Sequence, residues 1–253
     1  MNSGPNIISQ AFRSVLSCWK YFFGIVLFLF ILDCVNMLYD IDNSITVAKA
    51  FAEAGVVFYV CLSFLGLDVS SKENGKKYMG FSLRFLFLLY VPVIVASILV
   101  VALAASTLQG AQPGTGYFMG LTMLCVGGVY FFAMFLFGTV FPARLFGVRP
   151  EIGAAVGRAF RQAGYLIPRL LLGVWGLSAL SFVILILAEN LGIGSDPVTS
   201  AGVPNPAGAM VLVLVKLTSL FSLALFAVIV CRAYLKDLRE RGELPTRDAE
   251  VFA

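Results

Sequence analysis

Histidine is absent from all 253 residues of the chain. This absence excludes H-E-x-x-H zinc sites, Ser-His and Cys-His nucleophile pairs, and histidine-ligated haem. The G-x-x-x-x-G-K-[ST] phosphate loop is also missing. The five cysteines form no C-x-x-C pair, so we expect them to be small buried packing residues. These absences predict a protein with no metal and no cofactor.

Charge is the second scarcity, because only 13% of the residues are charged and 60% are hydrophobic. The mean hydropathy is +0.93, and a soluble domain could not bury so much apolar surface. Two uncharged stretches, 85–116 and 117–143, each exceed the roughly 20 residues that cross about 30 Å of hydrocarbon. The sequence therefore predicts an all-α, polytopic integral membrane protein.

Six transmembrane helices in three hairpins are predicted within a single transmembrane domain, 1–253. The spans are 21–39, 45–67, 85–108, 117–143, 170–188 and 207–231. Residues 232–253 are expected to form a short cytoplasmic tail.

Positive charge predicts the orientation. All of the 18 Lys and Arg except Lys49 and Lys216 fall into four clusters that alternate with pairs of spans. The clusters are Arg13 and Lys20; Lys72, Lys76, Lys77 and Arg84; Arg144, Arg149, Arg158, Arg161 and Arg169; and Arg232, Lys236, Arg239, Arg241 and Arg247. Because Lys and Arg favour the cytoplasmic side, we expect both termini in the cytoplasm.

Two basic amphipathic helices are predicted at the membrane surface, before helices 1 and 5. In 5–20, Ile8, Phe12, Val15 and Trp19 share one face, and 150–165 shows the same type of pattern. Simple anchoring is the more common role of such helices, and specific binding of anionic lipid headgroups is the alternative. The candidates for headgroup contact are Arg13, Lys20, Arg158, Arg161 and Arg169.

Three ionisable residues inside predicted spans are the best site candidates, because charge in hydrocarbon needs partners or water. At 1.5 Å per helical residue, Asp33 lies about 19 Å outward from the basic cluster of its own helix, Glu53 about 22 Å from Asp68, and Lys216 about 24 Å from Arg232. We therefore predict a cluster in the outer half of the bundle, with Asn36 and Ser219 nearby. Lys49 is expected to reach outward to water.

That cluster has two interpretations. The first is a structural ion pair between helices. The second uses the surplus acidic charge of Asp33 and Glu53 as a cation or proton site, with Lys216 as its counter-ion.

A family resemblance rests on Phe141-Pro142-Ala143, Arg149-Pro150 and the run Ala155-Val156-Gly157-Arg158-Ala159-Phe160-Arg161. These residues resemble a group of bacterial six-helix membrane proteins, which includes the membrane domain attached to some glycerophosphoryl diester phosphodiesterases. The similarity covers 7–32 and 141–173. It implies an inner-membrane architecture and carries over no catalytic residue.

We therefore expect a non-catalytic protein of the bacterial inner membrane that is a scaffold, an accessory subunit of a membrane complex or a lipid-interacting protein. The alternative is a small transporter or permease subunit with an outward-facing charged site. A lipid-modifying enzyme is least favoured, because such enzymes need clustered carboxylates for Mg²⁺ and the cytoplasmic Asp and Glu are isolated. Expected partners are anionic membrane lipids on the cytoplasmic side and a protein or a second copy, with no nucleic acid.

Overall fold

Helices form almost all of the chain that the computed structural model describes, which is residues 6–39, 42–107, 115–147, 151–194, 196–198 and 203–243. The elements are α1 (Ile7–Ser17), α2 (Trp19–Tyr39), α3 (Asp42–Phe64), α4 (Asn74–Phe85), α5 (Val91–Thr107), α6 (Thr115–Phe137), α7 (Val140–Leu145), α8 (Ile152–Arg161), α9 (Ala163–Arg169), α10 (Gly176–Asn190) and α11 (Pro206–Glu240). Within these ranges an isolated bridge, Val198 with Pro204, is the one β feature. The predicted all-α class is confirmed.

Two short π-helical segments join consecutive helices. π1 (Leu86–Tyr90) connects α4 to α5, and π2 (Leu170–Trp175) connects α9 to α10. Such segments insert an extra residue into an α-helix and are frequent at functional sites. The continuous helices around π1 and π2 cover 74–107 and 163–190. Each begins before its predicted span, which is 85–108 for the first and 170–188 for the second.

Five helices are long and apolar enough to cross a membrane: Trp19–Tyr39, Ile45–Phe64, Asn74–Ala102, Ala163–Asn190 and Pro206–Glu240. They overlap five of the six predicted spans. For the remaining span, 117–143, the described side chains give a shorter apolar helix, Leu124–Phe137. The predicted turn at 109–116 falls largely outside the described residues.

The helix of the fourth predicted span ends at Phe137, before the predicted limit of 143. Gly138 marks the break, because a Cβ there would lie 2.5 Å from the Met134 carbonyl oxygen and 2.6 Å from Val230 Cγ1. This close approach to α11 needs glycine. The chain then turns into α7, whose Phe141 and Pro142 are buried.

Two helices occupy the centre of the bundle, and others surround them. α3 and the second half of α11 are mostly buried and pack against each other, whereas α2, α5 and α10 expose large apolar side chains. Apolar surface on this scale marks contact with lipid or protein. Sequential neighbours also pack together, α2 with α3, α5 with α6, and α10 with α11.

The two amphipathic helices lie against the bundle through small residues. Ala11 of α1 and Ala159 of α8 are completely buried, and α1 contacts α3 and α11 while α8 contacts α6 and α11. The large side chains of Phe12, Trp19 and Phe160 are more than half exposed. Small residues thus face the protein and large apolar residues face outward, where lipid can cover them.

The expected tail 232–253 begins inside α11, which runs to Glu240. Tyr234 and Asp237 are buried there, so this part of the chain is not a solvated tail. Residues 244–253 lie outside the described ranges. Among the cysteines, Cys18, Cys61 and Cys231 are buried as expected, whereas Cys125 is exposed on α6.

Candidate functional site

Asp33 lies between two lysines in the middle of the helix bundle. Its Oδ1 is 2.5 Å from Lys49 Nζ, and its Oδ2 is 2.7 Å from Lys216 Nζ. Only 7% of Asp33 is exposed, so both cations compensate a buried carboxylate. The structure thus brings Asp33 and Lys216 together, and it adds Lys49, which we had expected to reach outward to water.

Helix packing explains why these residues meet. α2 carries Asp33, α3 carries Lys49, and α11 carries Lys216, and the three helices contact one another. Glu53 follows Lys49 by one helical turn, so both side chains project from the same face of α3.

Glu53 has a partner that the sequence did not indicate. The hydroxyl of Tyr90 donates a hydrogen bond to its Oε2, and Tyr90 is the last residue of π1. The ring of Tyr130 on α6 packs edge to face against the ring of Tyr90, with 6.3 Å between the two ring centres. Both lysines also lie within electrostatic range of the Glu53 carboxylate. We refer to the following residues as the charge network: Asp33, Lys49, Glu53, Tyr90, Tyr130 and Lys216.

Both lysine ammonium groups of this network pair with Asp33, whereas Glu53 accepts a hydrogen bond from Tyr90. The predicted surplus of acidic charge counted Lys216 alone against Asp33 and Glu53, and the structure adds Lys49 as a second cation at Asp33. Asn36 and Ser219, the other predicted members, are half-buried on the same helices, one turn from Asp33 and Lys216.

In the described residues, no group of three or more Cys, Asp or Glu side chains could hold a metal ion. The described contacts of the charge network are the ion pairs of Asp33, the hydrogen bond from Tyr90 to Glu53 and the ring contact between Tyr90 and Tyr130.

Comparison with known proteins yields no match: no family model, no curated protein and no solved structure matches this chain. The resemblance to the bacterial six-helix proteins therefore stays a prediction.

A second polar cluster joins α8 to the end of α11. Asp237, which is 1% exposed, pairs with Arg161 at 3.0 Å and with Arg241 at 3.2 Å. Gln162 Nε2 donates a hydrogen bond of 2.7 Å to Glu240. Arg161, one of the predicted headgroup contacts, therefore has a protein partner, although it is half-exposed.

Arg158 is turned inward, although we predicted that it contacts lipid headgroups. It is 7% exposed, its Nε donates to Thr139 Oγ1 at 3.3 Å, and its guanidinium lies 5.0 Å from the centre of the Tyr234 ring. Burial lowers the pKa of the Arg158 guanidinium, yet arginine stays charged at any physiological pH. Ala155 and Ala159, which are completely buried, allow α8 to approach closely enough for this contact.

The other predicted headgroup contacts are closer to the surface. Arg13 and Lys20 are exposed. Arg169 is half-buried, with its Nη1 donating to the Tyr165 carbonyl at 3.1 Å and its guanidinium 4.0 Å from the Tyr165 ring centre. Local packing therefore already orients Arg169.

A basic pocket and an apolar groove lie next to each other along α4. Lys76, Lys77 and Arg144 line the pocket, which has a volume of about 340 Å³. The groove of about 610 Å³ runs along α4 and π1 and is lined by Leu83, Arg84, Phe87, Leu88, Val140 and Ile152. Gly80 belongs to the wall of both. From the sequence, these basic residues were expected on one side of the membrane. The fold brings Lys76, Lys77 and Arg144 into one pocket.

Proposed function

We propose that the chain is a non-catalytic, multi-pass protein of a bacterial inner membrane that interacts with lipids and acts as a scaffold or accessory subunit. In this proposal six spans form three hairpins, and both termini lie in the cytoplasm. The basic side of the protein then faces the anionic headgroups of the inner leaflet.

The architecture of the helices supports the membrane part of the proposal. Five helices have the required length and hydropathy, and α6 packs against α5 as the second member of a hairpin would. Exposed side chains such as Leu172, which is 81% exposed, are stable in hydrocarbon and costly in water. Bulky outward side chains on α1 and α8 fit helices that lie in the interface.

The single observation that carries the lipid proposal is a contrast between the two kinds of charge. Inside the bundle, both Lys49 and Lys216 are paired with the buried Asp33. On the outside, the exposed cations Lys76, Lys77 and Arg144 surround a pocket that borders an apolar groove. A partner with a negative charge and an apolar body suits this surface.

A small transporter or permease subunit is the second candidate, and one observation favours it. Ionisable residues within spans often serve ion or proton pathways, and here Glu53 is hydrogen-bonded to Tyr90 in a π segment. Proton movement through reconstituted vesicles, measured with a pH-sensitive dye, tests this candidate. If Lys216→Met abolishes such a flux in a folded protein, the transport candidate replaces the scaffold.

Identification of bound molecules tests the main proposal. The tagged protein is extracted gently from its native membrane, and mass spectrometry identifies the proteins and lipids that remain near stoichiometric amounts. We expect anionic phospholipid, with or without a defined protein subunit. Recovery of neither lipid nor protein would contradict the proposal.

The orientation is tested by cysteine labelling with a membrane-impermeant maleimide. The variants Asp196→Cys and Gly75→Cys place thiols at exposed positions that belong to opposite sides of the membrane in the six-span proposal. Added label should appear on intact cells for the first variant, and only after permeabilisation for the second. Labelling of the second on intact cells would overturn the topology.

A further inference from the structure

We propose that the basic pocket and the apolar groove along α4 are one binding site for a single anionic phospholipid of the cytoplasmic leaflet. The phosphate occupies the pocket, and an acyl chain occupies the groove. This inference rests on the proposed function and names its ligand class and its site.

The surface runs from outside the hydrocarbon into it. From Lys76 in the pocket to Phe87 in the groove, 11 helical steps of 1.5 Å give a distance of about 16 Å. In the proposed span, which begins at residue 85, Phe87 lies just inside the hydrocarbon and Lys76 lies outside it. Because both residues belong to one membrane-spanning helix, Asn74–Ala102, the surface leads from the headgroup region into the hydrocarbon.

Charge complementarity selects an anionic headgroup. Lys76, Lys77 and Arg144 give the pocket three exposed cations, and the carboxylate of Glu73 lies 3.7 Å from Lys77 Nζ in an exposed ion pair. Exposed pairs of this kind are weak, so the phosphate can compete with Glu73. Three cations against one acidic side chain leave the pocket positive.

Arg84 connects the pocket to the groove. Its Nη1 donates a hydrogen bond of 2.7 Å to the Gly80 carbonyl, which holds the guanidinium at the wall that both cavities share. An arginine has five N–H donors, so donors remain for a phosphate oxygen. A Cβ at residue 80 would lie 3.3 Å from Arg84 Nη1. A side chain at this position would therefore press against the Arg84 guanidinium, at the wall that the two cavities share.

The groove accounts for the apolar part of the ligand. Leu83, Phe87 and Ile152 line it and are each more than half exposed, and its volume of about 610 Å³ lies within the range of small-molecule sites, about 300–1,000 Å³. Ile152 comes from the first turn of α8. An acyl chain in the groove would thus contact both the spanning helix and the amphipathic helix.

The test uses the purified full-length protein in a nonionic detergent. Phosphatidylglycerol and phosphatidylcholine with identical acyl chains are titrated separately, and native mass spectrometry counts the bound lipids. We expect one tightly bound phosphatidylglycerol, with at least about 10-fold preference over phosphatidylcholine, because each cation near the headgroup contributes roughly a factor of five.

Two matched triple variants separate a site from general surface charge. Lys76→Gln, Lys77→Gln and Arg144→Gln together should reduce phosphatidylglycerol binding at least about 10-fold. The control set Lys72→Gln, Lys236→Gln and Arg239→Gln removes the same charge from exposed positions that are neither pocket residues nor predicted headgroup contacts, and it should change binding less than about twofold. Equal losses in the two sets would overturn the site in favour of diffuse attraction.

The variant Gly80→Leu tests the passage between the two cavities. A leucine side chain there should displace Arg84, fill the junction and weaken phosphatidylglycerol binding without removing any charge. Its melting temperature in lipid-free detergent shows whether the protein is still folded. A folded Gly80→Leu protein that binds normally would refute the joined site.

Soluble glycerophosphoglycerol distinguishes the lipid from its headgroup. Because the groove should supply much of the affinity, this compound should fail to displace the lipid at concentrations far above the lipid. Efficient displacement would overturn the assignment of the groove. If the wild-type chain retains no lipid at all, the proposed function fails; if it retains lipid that the pocket variants do not affect, only this site fails.

Discussion

Removal of the Asp33 carboxylate should destabilise the protein more than removal of either lysine. Asp33→Asn keeps the volume but leaves Lys49 and Lys216 without the carboxylate that lies 2.5 and 2.7 Å away. Breaking a buried pair costs about 3–5 kcal/mol. We expect the free energy of unfolding to fall by about 3 kcal/mol, because the lysine side chains are 28% and 22% exposed and water relieves part of the cost.

The partner variant gives the argument its internal control. Lys216→Met leaves Asp33 paired with Lys49, so it should cost less than Asp33→Asn. The double variant retains Lys49 beside Glu53, with one charge of each sign. It should therefore be more stable than the sum of the single losses predicts, with a coupling of about 1–3 kcal/mol.

The assay is equilibrium unfolding in mixed detergent micelles, with melting temperature as a second measure. For a chain of this size about 1 kcal/mol corresponds to a shift of about 2–4 °C, so Asp33→Asn should melt about 6–12 °C lower. Additive losses in the double variant, or a neutral effect of Asp33→Asn, would refute the idea that these ion pairs hold α2, α3 and α11 together.

Three further outcomes are expected. Asp237→Asn should destabilise by about 1.5–3 kcal/mol because the charged contacts of buried Asp237 with the half-exposed Arg161 and Arg241 are weakened, whereas Glu73→Gln breaks only an exposed pair and should cost less than about 1 kcal/mol in the same unfolding assay. Gly138→Ala should cost about 1–3 kcal/mol through overpacking against α11. Gly128→Ala should not, because an added Cβ there would meet nothing within 4 Å beyond its chain neighbours and the backbone of its own helix; a similar loss in both variants would contradict overpacking as the cause. Burial raises the pKa of the Cys18 thiol from 9.0 to about 11, so its thiolate fraction at pH 8 is about 100-fold below that of a free cysteine. In a variant that retains only this cysteine, iodoacetamide should react slowly at pH 8 and faster as the pH rises toward 11; ordinary reactivity at pH 8 would show that the site is open. Because the raised pKa favours the protonated thiol in the fold, its contribution to stability is present below pH 9 and is lost as the pH rises toward 11.

The sequence predicted the depth of the buried charged residues better than the directions in which their side chains point. Counting residues from the basic clusters placed Asp33 and Lys216 at one depth, and the structure has them in contact. Depth does not determine the rotation of a helix, so Lys49 was assigned to water. Its spacing of one turn from Glu53 was the available signal that both belong to one face of α3.

Local irregularity explains most of what sequence reasoning missed. Tyr90 lies in a long apolar run and looks like a lipid-facing residue, until π1 changes its direction. The end of α6 at Gly138 depends on contact with α11, which comes from a distant part of the chain. Arg158 was assigned to the surface because it lies on the polar face of the predicted amphipathic helix 150–165, but its burial depends on Tyr234 from α11.

Each π segment changes the direction of the side chains that follow it relative to those that precede it. One extra residue in a turn rotates everything that follows by about 100° around the axis. In the first helix, Arg84 precedes the segment and lines the groove, whereas Tyr90 ends it and reaches Glu53. In the second helix, Arg169 comes directly before π2, and Trp175 is the last residue of π2.

This phase shift separates the half of each helix before the π segment from the half after it. Deleting one residue within 86–89 should rotate Tyr90 and the residues after it by about 100° relative to Lys76 and Arg84. Tyr90 would then turn away from Glu53. One residue therefore sets the angle between the groove along α4 and the charge network.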